Sequence, residues 1–168
     1  YMAEHHAVKE EIVEAVKRME RSISSAFIIN STHMMCHSGR IPKKVQVLCD
    51  ALLLHPVLVL KKSKMVVGSM EMGGFQHAMK KYIRKTLQDS GSIDRSILFI
   101  TYSGMEEKQL QYIKSLVQQY CPFERIYLQK ASSAIASNCG PGSFGLLFMR
   151  RDDSVLPFFQ MPGQDGAA

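Results

Sequence analysis

Two β-branched runs, residues 57–61 and 65–69, stand three residues apart across Lys62-Ser63-Lys64. Runs so close together read as a β-hairpin. That one feature constrains the fold more than any other, because any sheet this chain builds must contain an antiparallel pair. The rest of the chain alternates. Residues 26–30, 96–102, 125–129 and 144–149 read as short buried strands. Helical patterns cover residues 8–23, 44–54, 75–88 and 106–120, with a short helix or turn at 131–137. About six strands interleaved with about five helices predict an α/β fold with a mixed sheet and flanking helices.

The first helix carries Val8, Ile12, Val16, Met19 and Ile23 at three- and four-residue steps, with Glu10, Glu14, Lys17 and Arg18 on the other face. The pattern predicts a clean amphipathic helix. Residues 31–43 read as an irregular loop, and the apolar helix after it closes at His55-Pro56. Gly73-Gly74 opens the next helix, and residues 89–94 form a polar turn. The helix of residues 106–120 turns Leu110, Ile113, Leu116 and Val117 inward, with Ser103 and Glu106 as its expected cap. These elements divide the chain into a linking amphipathic helix (1–24), one α/β domain (25–149) and a tail (150–168) that Val155-Leu156 and Phe158-Phe159 tack onto the surface.

With 168 residues, 46% hydrophobic and 21% charged, the chain is long enough to bury a sizeable core as one globular domain. No apolar run reaches the ~18 residues of a membrane span. The longest, residues 45–60, is interrupted by Gln46, Asp50, His55 and Pro56. The first residues do not read as a signal peptide. Cys36, Cys49, Cys121 and Cys139 are scattered without a CxxC pair, which predicts reduced thiols and a cytoplasmic protein. His33, Cys36 and His37 come nearest to a metal cluster, but no second pair completes it, so neither metal nor cofactor is expected. The net charge of +6 is mildly basic. Its densest stretch, Lys80, Lys81, Arg84 and Lys85, forms one helix face, first a solvated face and second a surface for an acidic protein partner. No nucleic-acid-binding motif accompanies it.

The segment with most chemical promise is Asn138-Cys139-Gly140-Pro141-Gly142-Ser143. Two glycines around a proline make a tight, rigid loop at a strand mouth, which either turns a corner or holds a ligand head group. Cys139 and Cys36 lack any signature of a nucleophile, and Ser103-Gly104 reads as a strand-to-helix turn, so catalysis is not expected. Met34, Met35, Met65, Met70, Met72, Met79 and Met149, with Phe75, Phe144 and Phe148, fill a core or line an adaptable apolar slot.

The order Ile28-Ile29-Asn30-Ser31, Ser38-Gly39-Arg40-Ile41, Leu54-His55-Pro56-Val57-Leu58, a hairpin, Ala78-Met79-Lys80-Lys81 and Gly140-Pro141-Gly142 resembles the C-terminal half of DegV-family proteins, over residues 8–149. The resemblance implies a bacterial, two-domain fatty-acid-binding protein whose N-terminal domain is absent here. It implies a long-chain fatty acid as ligand, and a carrier that presents the acyl carboxylate to a separate fatty acid kinase for phospholipid synthesis. It places Arg40, Asn138, Gly140, Gly142, Ser143 and Gly73 near the ligand. Lys80, Lys81, Arg84 and Lys85 are the partner surface. The family's histidine before the terminal loop falls on Asn138, and its arginine after the hairpin falls near Met72 or Gly73. Asn donates a hydrogen bond without a positive charge, so a weaker head-group clamp is expected. The alternative is a docking domain of a divergent member that no longer binds fatty acid.

Overall fold

A computed structural model describes residues 6–61 and 64–151. Its strands are β1 (Ile23–Ile28), β2 (Leu54–Lys61), β3 (Lys64–Met72), β4 (Ile93–Ser103), β5 (Arg125–Lys130) and β6 (Ser143–Arg150). Its helices are α1 (Lys9–Ser22), α2 (His33–His37), α3 (Lys43–Ala51), α4 (Phe75–Thr86), α5 (Glu107–Tyr120) and α6 (Ser133–Cys139), with a 3-10 turn at Ser90–Ser92. The strands form one six-stranded sheet in the order β3-β2-β1-β6-β4-β5. Only β4 and β5 are parallel, joined through α5, and every other neighbouring pair is antiparallel. The mixed α/β sheet expected from the hairpin is therefore present.

The hairpin is longer than its β-branched runs, and its register shifts between Val57 and Leu58. Lys62-Ser63, the core of its expected turn, and residues 152–168, most of the expected tail, lie outside the described residues. Arg150, placed in that tail, instead ends β6.

Three expectations change. Leu54, His55 and Pro56 belong to β2 rather than to the helix before it, because α3 ends at Ala51 and Leu53 turns the chain with a left-handed φ of 49°. Residues 33–37 are a short helix, not irregular loop. Ser103 does not cap α5. It pairs with Ser143 across β4 and β6, and Glu106 takes the cap position, its N–H donating to Gln109 Oε1 at 3.0 Å. The expected amphipathic helix is present as α1, and its stripe is only partly covered, with Ile12 and Met19 half-buried. Val8, Val16 and Ile23 are exposed, and the helix buries Ala15 and Ser22 where it meets β6.

The core lies on one face of the sheet, beneath α4 and α5. Alternation along the strands sends Ala26, Ile28, Val57, Leu98, Ile100, Phe144, Leu146 and Phe148 to that face. There they meet Ala78, Met79, Tyr82, Ile83 and Leu87 on α4 or just past its end, and Ile113, Leu116 and Val117 on α5. Each fully buried Val, Leu, Ile, Met or Phe side chain among them contributes roughly 1.5–3 kcal/mol of transfer free energy. Tyr82 reaches furthest. Its hydroxyl donates to the Ala26 carbonyl at 2.6 Å and accepts from the Leu146 N–H at 3.2 Å, which pins α4 to the centre of the sheet. Burial pushes its phenol well above the usual range.

The opposite face is less completely covered. Phe27 lies over Gly145, its cross-strand partner, leaving no room for a Cβ there. Phe99 and Tyr127 stack at 5.2 Å and stay 39% and 44% exposed, so an aromatic, apolar strip remains open to solvent.

Candidate ligand mouth

Strand direction gathers the candidate residues. β1, β3, β4 and β5 end at one edge of the sheet, and β2 and β6 begin there. The turns after β1, α2 and β3, and the loop after α6, therefore share that edge. Arg40, Gly73, Gly140 and Gly142 sit on these turns, Asn138 is in the last turn of α6 and Ser143 is the first residue of β6.

Arg40 and Asn138, 98 residues apart in sequence, are in contact. Arg40 Nε donates to Asn138 Oδ1 at 2.7 Å. Asn138 Nδ2 in turn donates to the Ala134 carbonyl at 2.7 Å, so its own helix turn aims its oxygen at the guanidinium. The contact uses one of the five N–H donors that an arginine carries. Arg40 is exposed and Asn138 half-buried.

The Gly-Pro-Gly loop is held from several sides. Gly140 and Gly142 adopt φ of 74° and 79°. A Cβ at Gly142 would fall on the Asn30 side chain, and one at Gly140 would stand 3.0 Å from Met34 Cγ. Only glycine satisfies both the backbone and the space. The Gly142 N–H donates to the Ser103 carbonyl at 2.7 Å. Ser143 Oγ donates to the Cys139 carbonyl at 2.7 Å and accepts from the Asn30 N–H at 3.1 Å, so its proton already has an acceptor within the protein.

Gly73 stands apart from the Arg40–Asn138 pair. Its φ is 105°, and its N–H donates to the Leu53 carbonyl at 3.0 Å. The link back to the other turns is His55, which the sequence reading left without a role. Its Nδ1 lies 2.9 Å from the Asn30 carbonyl and its Nε2 lies 3.1 Å from the Gly73 carbonyl, while its ring meets Phe75 edge-on at 5.1 Å.

The basic face of α4 is only partly available to a partner. Glu71, buried in β3, holds Lys85 Nζ at 2.7 Å and Lys81 Nζ at 3.1 Å. The first is a hydrogen bond. The second neutralises charge without the direction of one, and Glu71 Oε2 has no hydrogen-bond donor. Burial alone pushes the Glu71 carboxyl up, but the close contacts and charges of Lys85 and Lys81 outweigh it and hold the group below the usual glutamate range. Lys80 lies over the Tyr112 ring at 5.7 Å, and that tyrosine holds its ammonium above the usual range. Two open clefts follow α4. One of about 490 Å3 is lined by Gly74, Phe75, Gln76, His77 and Lys80, and one of about 210 Å3 by His77, Lys80, Lys81, Arg84 and Tyr120. Neither includes Arg40 or Asn138.

The Glu71 pairing had a signal in the sequence, a carboxylate between Met70 and Met72 in a strand and two lysines four apart on the next helix. Nothing local could have revealed Arg40 with Asn138.

Burial moves three thiols away from nucleophile chemistry. Burial pushes Cys139 up, offset only in part by the Arg40 charge, and burial does the same at Cys121 and Cys49. Among the described residues no group of three or more His, Cys, Asp or Glu side chains could hold a metal ion, and no helix is long and apolar enough to cross a membrane. His33 contacts Gln46 and Asp50.

Comparison with known proteins gives a consistent result. The family model described as "Uncharacterised protein, DegV family" matches residues 1–151. A DegV family protein from Eubacterium eligens, loaded with heptadecanoic acid, superposes with a TM-score of 0.72 at 16% identity, over 89% of this chain and 53% of that one. The Streptococcus pneumoniae Fatty Acid Kinase (Fak) B3 protein, loaded with linoleic acid, gives a TM-score of 0.72 at 12% identity, over 89% and 52%. A fatty-acid-binding DegV family protein from Thermus thermophilus gives 0.69 at 22%, over 89% and 53%. The chain thus spans about half the length of these structures, and at such identities the likeness speaks to the fold. No curated protein matches. The match over residues 1–151 covers most of the sequence, and the chain belongs to the DegV family.

Proposed function

We propose that this chain forms one side of a fatty-acid-binding pocket in a carrier that presents a long-chain acyl carboxylate to a separate kinase. The observation that carries the reading is the 2.7 Å contact between Arg40 and Asn138 at the sheet edge. A carboxylate needs a charged donor, and charge-assisted hydrogen bonds are about twice as strong as neutral ones. Asn138 has no charge to give, but it fixes a guanidinium that does. Gly140 to Gly142 hold the loop rigid against Met34 and Asn30, beside the guanidinium. The acyl tail needs apolar wall, which the open strip at Phe99 and Tyr127 provides. The other half of the family's fold, the N-terminal domain, would close the pocket over it. The fatty acids bound in the Eubacterium eligens and Streptococcus pneumoniae proteins support the ligand class.

The same carrier needs a surface for the enzyme it serves. Lys81 and Lys85 are committed to Glu71, which leaves Lys80 and Arg84, beside His77 and Tyr120, as the cationic cleft for an acidic partner. The docking-domain alternative draws on that cleft alone.

Native mass spectrometry of the purified chain, followed by organic extraction, tests the first reading. Fatty acid at about one per chain is expected. Arg40→Ala should then lower oleate affinity by about tenfold or more, the worth of a hydrogen bond to a charged group. An Arg40→Ala, Asn138→Ala double variant that binds oleate normally would remove the assigned mouth.

A further inference from the structure

His55 is buried and has a carbonyl oxygen against each ring nitrogen. Nδ1 faces the Asn30 carbonyl at 2.9 Å, with the Ile29 carbonyl at 3.3 Å, and Nε2 faces the Gly73 carbonyl at 3.1 Å. Carbonyl oxygens only accept. A neutral imidazole has one N–H and one lone pair, so either tautomer leaves a lone pair pointed at an oxygen. Only the doubly protonated ring donates on both sides.

The two carbonyls belong to different parts of the mouth. Asn30 leads from β1 into α2, its N–H donates to Ser143 Oγ, and its side chain fills the space over Gly142. Gly73 opens the turn from β3 into α4 and lines up beside the α4 cleft. From β3, the charged group on the same side as His55 is its register partner Glu71, itself held by Lys81 and Lys85. From α4, the neighbouring groups are the Phe75 ring and His77, whose ring carbon comes within 3.8 Å of the Cβ position at Gly73. From β1 and the turn after it, the Ile29 and Asn30 carbonyls reach the ring.

We propose that His55 is a proton-operated staple of the ligand mouth: as imidazolium it ties the turn after β1 to the turn before α4, and loss of one proton releases one of them. His55 touches no ligand in this arrangement and is a positioning residue. The staple is independent of what the mouth binds. Its consequence for affinity rests on the fatty-acid reading above.

The test uses the whole chain labelled with 15N. Long-range proton–nitrogen spectra report each His55 ring nitrogen from pH 5.5 to 8.5, and backbone amides are followed in the same samples. The expected result is two N–H-type nitrogens at the acid end, with one deprotonating on the same midpoint that moves the amides of Ser31, Gly73 and Gly74. One lone-pair-type nitrogen throughout, or a ring titration that leaves those amides still, overturns the staple. Oleate affinity measured across the same range should fall roughly three- to tenfold as the ring deprotonates, the worth of one such hydrogen bond. His55→Gln, whose amide has no proton to lose over that range, should flatten the dependence. Affinity that ignores pH while the ring titrates overturns the link to the mouth. Absence of oleate binding at every pH removes the fatty-acid reading, and the ring spectra still decide the staple without any ligand.

Discussion

Replacing Glu71 by Gln isolates the charge at the junction of β3 and α4. The Glu71 side chain is 0% exposed, while those of Lys81 and Lys85 are 37% and 47% exposed. The amide is nearly isosteric and keeps an acceptor for Lys85, so the main loss is electrostatic. Hydrogen bonds to charged groups are worth about 1.5–3 kcal/mol, but both lysines regain water when released. The net destabilisation at pH 7 should therefore be about 1–2 kcal/mol. The pH dependence gives the sharper readout. Because the folded protein holds the Glu71 carboxyl below its usual value of 4.5, the unfolded chain takes up a proton first as pH falls. The contribution is fully present above that value and is lost as pH drops through the lower, folded one. Urea unfolding at pH 7 and at steps below pH 4.5 should show a smaller acid loss in Glu71→Gln than in the wild type. A variant as stable as wild type at pH 7, with the same acid limb, would refute the assignment of Glu71 as an ionised anchor for α4.

Two further variants probe the sheet. Tyr82→Phe removes the hydroxyl between Ala26 and Leu146 and leaves two buried backbone groups short of a partner, so a loss of about 1–3 kcal/mol in urea unfolding is expected, and an unchanged midpoint would argue against the bridge. Gly145→Ala drives a methyl into the Phe27 ring and should cost about 1–3 kcal/mol, and adding Phe27→Ala should recover part of it; strictly additive losses would mean the two residues do not press on each other.

What the sequence conveyed depended on range. Leu110, Ile113, Leu116 and Val117 carry the period of α5 in consecutive residues, and all four are buried. The hairpin and the apolar last strand were equally local. Boundaries inside residues 45–60 were not, since helix and strand there share one apolar run and the break is a left-handed Leu53 rather than a glycine. The five residues of α2 have no side-chain cap to announce them. At the mouth, the glycines of the loop after α6 were visible as types, but the partner of Asn138 is 98 residues away. His55 looked like a residue ending a helix, whereas its meaning comes from two carbonyls that only the folded sheet brings to its ring. The partly exposed α1 stripe shows the converse: periodicity marks an apolar face without saying what covers it.

The centre of the sheet joins β1 to β6, the first and last in chain order among the described strands. A ribosome adding about 5–20 residues per second leaves an interval on the order of ten seconds between them. During that wait β1 has β2 on one side and an unpaired edge on the other, where β6 will later dock. The nascent chain thus carries an open, apolar strand edge at what becomes its most buried seam, the kind of edge that recruits other chains. Aggregation during synthesis, rather than unfolding of the finished protein, is the hazard that this order of strands creates.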